Sequence, residues 1–175
     1  MKQYQIAVIG SAGSEEYPYD KPLAAMFEAA EKIGQLLAVN KLIVVCGGKG
    51  GVMEAVSRGA KSAGGITVAE IAGLSRWAAN DYIDVEIVTG DLAFRGPSQL
   101  IAMSDAVIAL GGGSGTLQEI CVAYRLQKPI ILLRGFGGWV DKLSPVSFLD
   151  ERRLVKFYQA TTPENAVQKA LSMLK

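Results

Sequence analysis

Three times in this chain a short apolar run ends in a cluster of glycines, and a helical pattern follows. Gln5-Ile6-Ala7-Val8-Ile9 leads into Gly10-Ser11-Ala12-Gly13-Ser14, and Leu42-Ile43-Val44-Val45-Cys46 into Gly47-Gly48-Lys49-Gly50-Gly51. Ala106-Val107-Ile108-Ala109-Leu110 leads into Gly111-Gly112-Gly113-Ser114-Gly115. The runs are strand-sized and apolar on both faces, as strands of a parallel sheet must be when helices cover both sides. Parallel neighbours need crossover connections, and the helical stretches supply them. The expected fold is therefore α/β, a Rossmann-like, doubly wound, mostly parallel sheet with helices on both faces. Residues 1–175 are expected to form one such domain, since half of the 175 residues are hydrophobic, enough for a sizeable core.

The remaining elements fit the same alternation. Asp20 and Pro22 suit a helix start, and Leu23, Met26, Phe27, Ala30, Ile33 and Leu37 then recur at helical spacing. A second helix is expected from Val52 to about Ala63, stopping at Gly64-Gly65. Ile66 to Ile71 reads as the third strand, Ala72 to Tyr82 as an irregular loop, and Asp84 to Val88 as a more exposed strand. Arg95 and Gly96 stand at the start of a helix reaching about Met103. After the third glycine turn come a helical pattern over Ile120 to Leu126, a strand over Pro129 to Leu133 and a flexible loop over Gly135 to Trp139. Phe157 to Ala160 reads as an edge strand, and Thr162-Pro163-Glu164 opens a C-terminal helix.

Composition excludes several functions. A net charge of +1 leaves no nucleic-acid footprint. No apolar run is long enough to span a membrane, and no signal peptide precedes the first strand, so a cytoplasmic protein is expected. Cys46 and Cys121 lie in apolar stretches without metal-ligand spacing and read as reduced core residues, and no structural metal is expected. The chain contains no histidine, which removes a Ser-His-Asp or Cys-His mechanism, a His-ligated zinc and a histidine general base.

Ligands of doubly wound sheets bind outside the carboxyl ends of the strands, where all three glycine turns should gather. At Gly112, Gly113, Ser114, Gly115 and Thr116 the unpaired first amides of a helix and its dipole would favour an anion, with Glu119 just inside the helix. Another reading stays open: Thr116-x-x-Glu119 also fits a capping box, in which Glu119 is merely a cap. No turn fits the Walker pattern or a helix-opening G-x-G-x-x-G, yet glycine turns on one edge describe a nucleotide or phosphate-ester site. Candidate ligand-binding residues are Gly10 and Ser11 of the first turn, Gly47, Gly48, Lys49 and Gly50 of the second, the third turn with Glu119, and Arg95. Arg95 suits a phosphate or a surface salt bridge, and Lys49 a phosphate contact or a solvated loop position. Glu54 is a second cap or dipole partner, and Arg76 and Trp77 form a lid or pack the loop.

Val45-Cys46-Gly47-Gly48-Lys49-Gly50-Gly51-Val52-Met53-Glu54-Ala55-Val56 resembles the first glycine motif of the Lonely Guy-like (SLOG) Rossmann superfamily. Gly112-Gly113-Ser114-Gly115-Thr116-Leu117-Gln118-Glu119 resembles its P-G-G-x-G-T-x-x-E motif, and the likeness runs from Ile6 to Leu133. Members were formerly labelled possible lysine decarboxylases, but no pyridoxal-binding lysine context is recognisable here. The Lonely Guy enzymes are phosphoribohydrolases that split a nucleoside 5′-monophosphate into free base and ribose 5-phosphate. That resemblance would make Glu119 and Arg95 the catalytic pair. Two departures, Gly111 for the motif proline and Gly96-Pro97 after Arg95, make the chain more similar to the branch containing the molybdenum cofactor carrier proteins. The resemblance implies a homodimer or homotetramer that binds a phosphorylated small molecule, molybdenum cofactor, without transforming it. The alternatives are a nucleoside-monophosphate glycosidase and a regulatory nucleotide sensor.

Overall fold

A computed structural model describes residues 3–13, 23–90 and 97–174. Its strands are β1 (Gln5–Gly10), β2 (Ile43–Cys46), β3 (Thr67–Ile71), β4 (Val85–Val88), β5 (Ala106–Leu110), β6 (Ile130–Leu133) and β7 (Phe157–Ala160). Its helices are α1 (Leu23–Val39), α2 (Val52–Ser62), α3 (Pro97–Ala102), α4 (Ser114–Arg125), α5 (Gly138–Leu143) and α6 (Pro163–Met173). The seven strands form one sheet in the order β4-β3-β2-β1-β5-β6-β7. Every neighbouring pair is parallel. Successive strands step outward from β1 to β4; β5 then starts again on the other side of β1, so the winding reverses between β1 and β5. This reversal opens a crevice at the carboxyl ends of those two strands.

Alternate residues of the central strands feed two cores. Ile6, Val8, Val44, Ile108 and Leu110 face α1, α2 and α6. Ala7, Ile9, Val45, Val107 and Ala109 face α3, α4 and α5. All of β5 is buried, as its unbroken apolar sequence requires. Helices α1 and α2 cross closely at Gly34 and Gly59, where a Cβ on either would collide with backbone of the other helix. Beside that crossing Arg58 Nη2 donates to Glu31 Oε2 over 2.8 Å. On the edge strand β4, Val85 and Ile87 are exposed, in keeping with its alternating sequence. Among the described residues no helix is long and apolar enough to cross a membrane.

Helix α4 begins at Ser114, inside the third glycine turn, where the first helix amides were expected. Two expectations are corrected. The segment after β6 does not stay a loop: α5 starts at Gly138. Asp141 organises its entry, accepting from the amides of Gly135 at 2.6 Å and Gly137 at 2.8 Å. Cys46 is buried as expected, but Cys121 is only half-buried, because the helical turn carries it off the core-facing stripe of Ile120, Ala123 and Tyr124. The expected helix start at Asp20 and Pro22 lies outside the described residues, as do Arg95 and Gly96.

Candidate functional site

At the reversal point β1 and β5 end side by side, with Gly10 paired to Leu110. A cleft of about 250 Å³ opens there. Its floor is Val8, Ile9, Gly10, Ser11 and Ala12 from β1 and the loop after it. One wall is Gly47 and Met53, from the second glycine turn and the start of α2. The other is the N-terminus of α4, with Gly113, Ser114, Gly115 and Thr116, and the side chain of Glu119. The three glycine turns thus share one edge, as ligand binding in this type of sheet demands.

The α4 terminus is open. Gly113 is its N-cap, no side chain among the described residues caps it, and its first intrahelical bond runs from the Leu117 amide to the Gly113 carbonyl at 3.1 Å. The amides of Ser114, Gly115 and Thr116 precede that bond and point from the positive end of the helix. No capping box forms: Thr116 lies inside the first turn, so Glu119, three residues on, is in the second turn and is not a cap. The turn before the helix is fixed from behind by α5. Trp139 and Val140 donate their amides to the carbonyls of Gly112 and Gly111 at 2.9 and 3.2 Å. Gly111 has φ +60° and Gly112 +85°, and a Cβ on Gly112 would strike the Thr116 side chain.

The second glycine turn works differently. The Val52 amide at the start of α2 already donates to the Ser11 carbonyl at 2.9 Å. Glu54 occupies the first turn of α2, the place of a dipole partner, makes no side-chain cap, and pairs with Arg58 at 3.8 Å. Of this turn only Gly47 reaches the cleft. Gly48 and Lys49 instead anchor the 72–82 loop. Asn80 donates its side-chain amide to the Gly48 carbonyl at 3.1 Å and the Lys49 carbonyl at 2.9 Å. Lys49 is exposed, and its Nζ donates to the Ala78 carbonyl at 3.4 Å. Gly50 packs toward the Ala12 carbonyl. In the same loop Arg76 stacks on the exposed Trp77 ring, 4.8 Å from its centroid. Gly10, Ser11, Gly47, Gly113, Ser114, Gly115, Thr116 and Glu119 therefore meet in the cleft, whereas Gly48, Lys49, Gly50 and Gly112 support it from outside. Arg95 lies outside the described residues.

Glu119 is half-buried and lines the cleft. Burial, and secondly the negative charge of Glu70, push its carboxyl up to about 8. Glu70 sits on β3, buried, and its Oε2 accepts from the Leu100 amide of α3 at 2.6 Å. Behind Gly47, burial raises the Cys46 thiol above its ordinary range; Ser57 Oγ lies 3.5 Å from its Sγ, and the Gly48 amide donates to it at 3.4 Å. Glu70 is a buried neighbour of the site that motif reading passes over. Its signal was a lone carboxylate in an otherwise nearly apolar strand, Thr67-Val68-Ala69-Glu70-Ile71. Among the described residues no group of three or more His, Cys, Asp or Glu side chains could hold a metal ion.

A doubly wound parallel sheet with a glycine-lined cleft at its reversal point defines a Rossmann-like α/β protein. Residues 3–167 match the SLOG cluster4 family, and the chain belongs to that family. Its structure is similar to the crystal structure designated TM1055, with a TM-score of 0.85 and 36% identity over 97% of this chain and 99% of the other. It is also similar to the molybdenum cofactor binding protein of the phototrophic bacterium Rippkaea orientalis, with a TM-score of 0.81 and 32% identity over 100% and 99% of the two chains. A third likeness is to the molybdenum cofactor carrier protein of Chlamydomonas reinhardtii, with a TM-score of 0.75 and 26% identity over 98% of each chain.

Proposed function

We propose that this chain binds a phosphorylated heterocycle, molybdenum cofactor in the first instance, and carries it without transforming it. The observation that carries this reading is the uncapped α4 terminus facing the cleft, whose Ser114, Gly115 and Thr116 amides suit a phosphate. The likeness to molybdenum cofactor binding and carrier proteins supports the choice of cofactor. The cleft, about 250 Å³, lies just below the ~300 Å³ at which pockets begin to enclose whole ligands, so it suits a phosphate end better than a complete ring system. The residues present fit such a group: amides and a hydroxyl for the phosphate, and no demand on the protein for a metal ligand. The cofactor would supply redox chemistry to whichever enzyme receives it; this chain holds the phosphate and shields it. Arg95 is proposed as a further phosphate ligand, and the working unit as a homodimer or homotetramer in the cytoplasm.

A phosphoribohydrolase is the second reading, favoured by one observation. Glu119 holds its proton near neutral pH beside the phosphate-binding amides, where an oxocarbenium-forming reaction would need a carboxyl group. Native mass spectrometry of freshly purified protein, beside a free-base release assay on a panel of nucleoside monophosphates, separates the two. The carrier reading expects a co-purifying phosphorylated pterin, no appreciable base release, and weaker ligand binding by Arg95→Ala. Rapid release that Glu119→Gln abolishes would overturn it in favour of the hydrolase.

A further inference from the structure

Among the described residues four glycines line the cleft, Gly10, Gly47, Gly113 and Gly115, and they do not serve one purpose. The fold demands Gly10, since a Cβ on it would stand 2.5 Å from the Leu110 carbonyl oxygen of the neighbouring strand. It does not demand Gly47 or Gly115. Neither has φ in the left-handed region that favours glycine. A Cβ on Gly115 would meet nothing within 4 Å beyond its chain neighbours and the backbone of its own helix. A Cβ on Gly47 would meet one atom, the Met53 Sδ at 2.9 Å, on a flexible side chain that can swing aside. Gly115 also stands in the first turn of α4, where glycine is a poorer helix former than alanine. Nothing inside the fold offsets that loss.

A bare backbone has another use, which is close approach of a ligand. The two glycines stand on opposite walls of the cleft, Gly115 among the first residues of α4 and Gly47 beside Met53. We infer that the ligand, and not the fold, keeps Gly47 and Gly115 free of side chains. Gly115 lets a phosphate settle against the α4 amides, and Gly47 with the Met53 thioether receives the carbon skeleton that the phosphate carries. This rests on the phosphate-binding reading above and adds the residues that select what is joined to the phosphate. The chemistry of the two walls agrees with this division. The α4 wall offers backbone amides, the hydroxyls of Ser114 and Thr116 and the carboxyl group of Glu119. The Gly47 wall carries, among the described residues, no charged side chain and no side-chain hydrogen-bond donor. Such a wall suits an uncharged carbon framework, and a thioether adapts its shape to one. With about 250 Å³ available, the part of the ligand that adjoins the phosphate ester is the part that lies there.

A glycine needed by the fold loses stability and affinity together when it is replaced, whereas a glycine needed by the ligand loses affinity alone. The test therefore pairs thermal unfolding of the ligand-free variants with NMR titrations at pH 7, using inorganic phosphate and ribose 5-phosphate as probes. Gly115→Ala is expected to raise the unfolding midpoint by about 1–4 °C, the usual gain from alanine at a compatible glycine position in a chain of this size. The same variant should bind both probes about tenfold more weakly, because its methyl group stands where the phosphate settles. Gly47→Ala should unfold near the wild-type midpoint and keep its affinity for inorganic phosphate. It should lose about tenfold for ribose 5-phosphate, whose sugar meets the altered wall. Wild-type affinity for ribose 5-phosphate in either variant overturns the inference. So does a lowered midpoint in Gly115→Ala, a Gly47→Ala protein that fails to fold, or an equal loss of both probes in Gly47→Ala. Failure of wild type to bind either probe overturns the phosphate-binding reading and this inference together.

Discussion

Gly111 marks how finely the third turn is specified at the level of single residues. Its φ of +60° lies where proline, fixed near −65°, cannot go. The proline of the resembled motif is therefore incompatible with the backbone seen here, and the departure noted in the sequence has a conformational cause. Gly111→Pro is expected to destabilise the fold by more than about 1 kcal/mol in denaturant unfolding, the usual penalty of an incompatible proline. An unchanged midpoint would mean that the turn can adopt the other conformation. Glu119 offers a second residue-level prediction. Its carboxyl lies at about 8 in the folded chain, above the ~4.3 expected unfolded. The folded state thus holds this proton more tightly. The stabilisation is complete below the unfolded value and is lost as pH rises through the folded one. Wild type should lose stability relative to Glu119→Gln between about pH 4 and 8. Parallel stability curves for the two proteins would contradict the shift.

Among elements, α5 shapes the site most for its length. Asp141 ties down the amides of Gly135 and Gly137, and Trp139 and Val140 then hold the carbonyls of Gly111 and Gly112. Asp141→Ala is expected to cost about 1–2 kcal/mol of stability, the usual loss when a side chain stops accepting helix-entry amides. It should also weaken phosphate binding, although Asp141 is not among the cleft residues. Normal phosphate affinity in a destabilised Asp141→Ala would show that the turn holds its shape without α5. The periodicity of β1, β2, β5 and α1 made those elements legible in the sequence, because one apolar period dominates each. Helix α5 was hidden because it is short and opens with glycines, which by composition read as loop. The cleft's main features, the glycine turns and Glu119, were readable from strand-turn-helix grammar. Glu70 was not, since its burial depends on the Leu100 amide that folding brings to it from α3.

For the whole molecule, the strand order makes the site. Because the winding reverses between β1 and β5, the ends of those two strands and the start of α4 meet at one cleft. Assembly belongs to this scale as well. Val85 and Ile87 leave the outer strand β4 partly apolar and exposed, and Leu74 and Trp77 are exposed in the loop before it. Light scattering at micromolar concentration should report a dimer or tetramer, and a monomer would count against the proposed assembly. The most direct test of phosphate binding is a proton–nitrogen NMR titration of the full chain with ribose 5-phosphate at pH 7. The expected result is that the amides of Ser114, Gly115 and Thr116 shift first and furthest, saturating together. Saturable shifts confined to another surface, with these three amides unmoved, would contradict it.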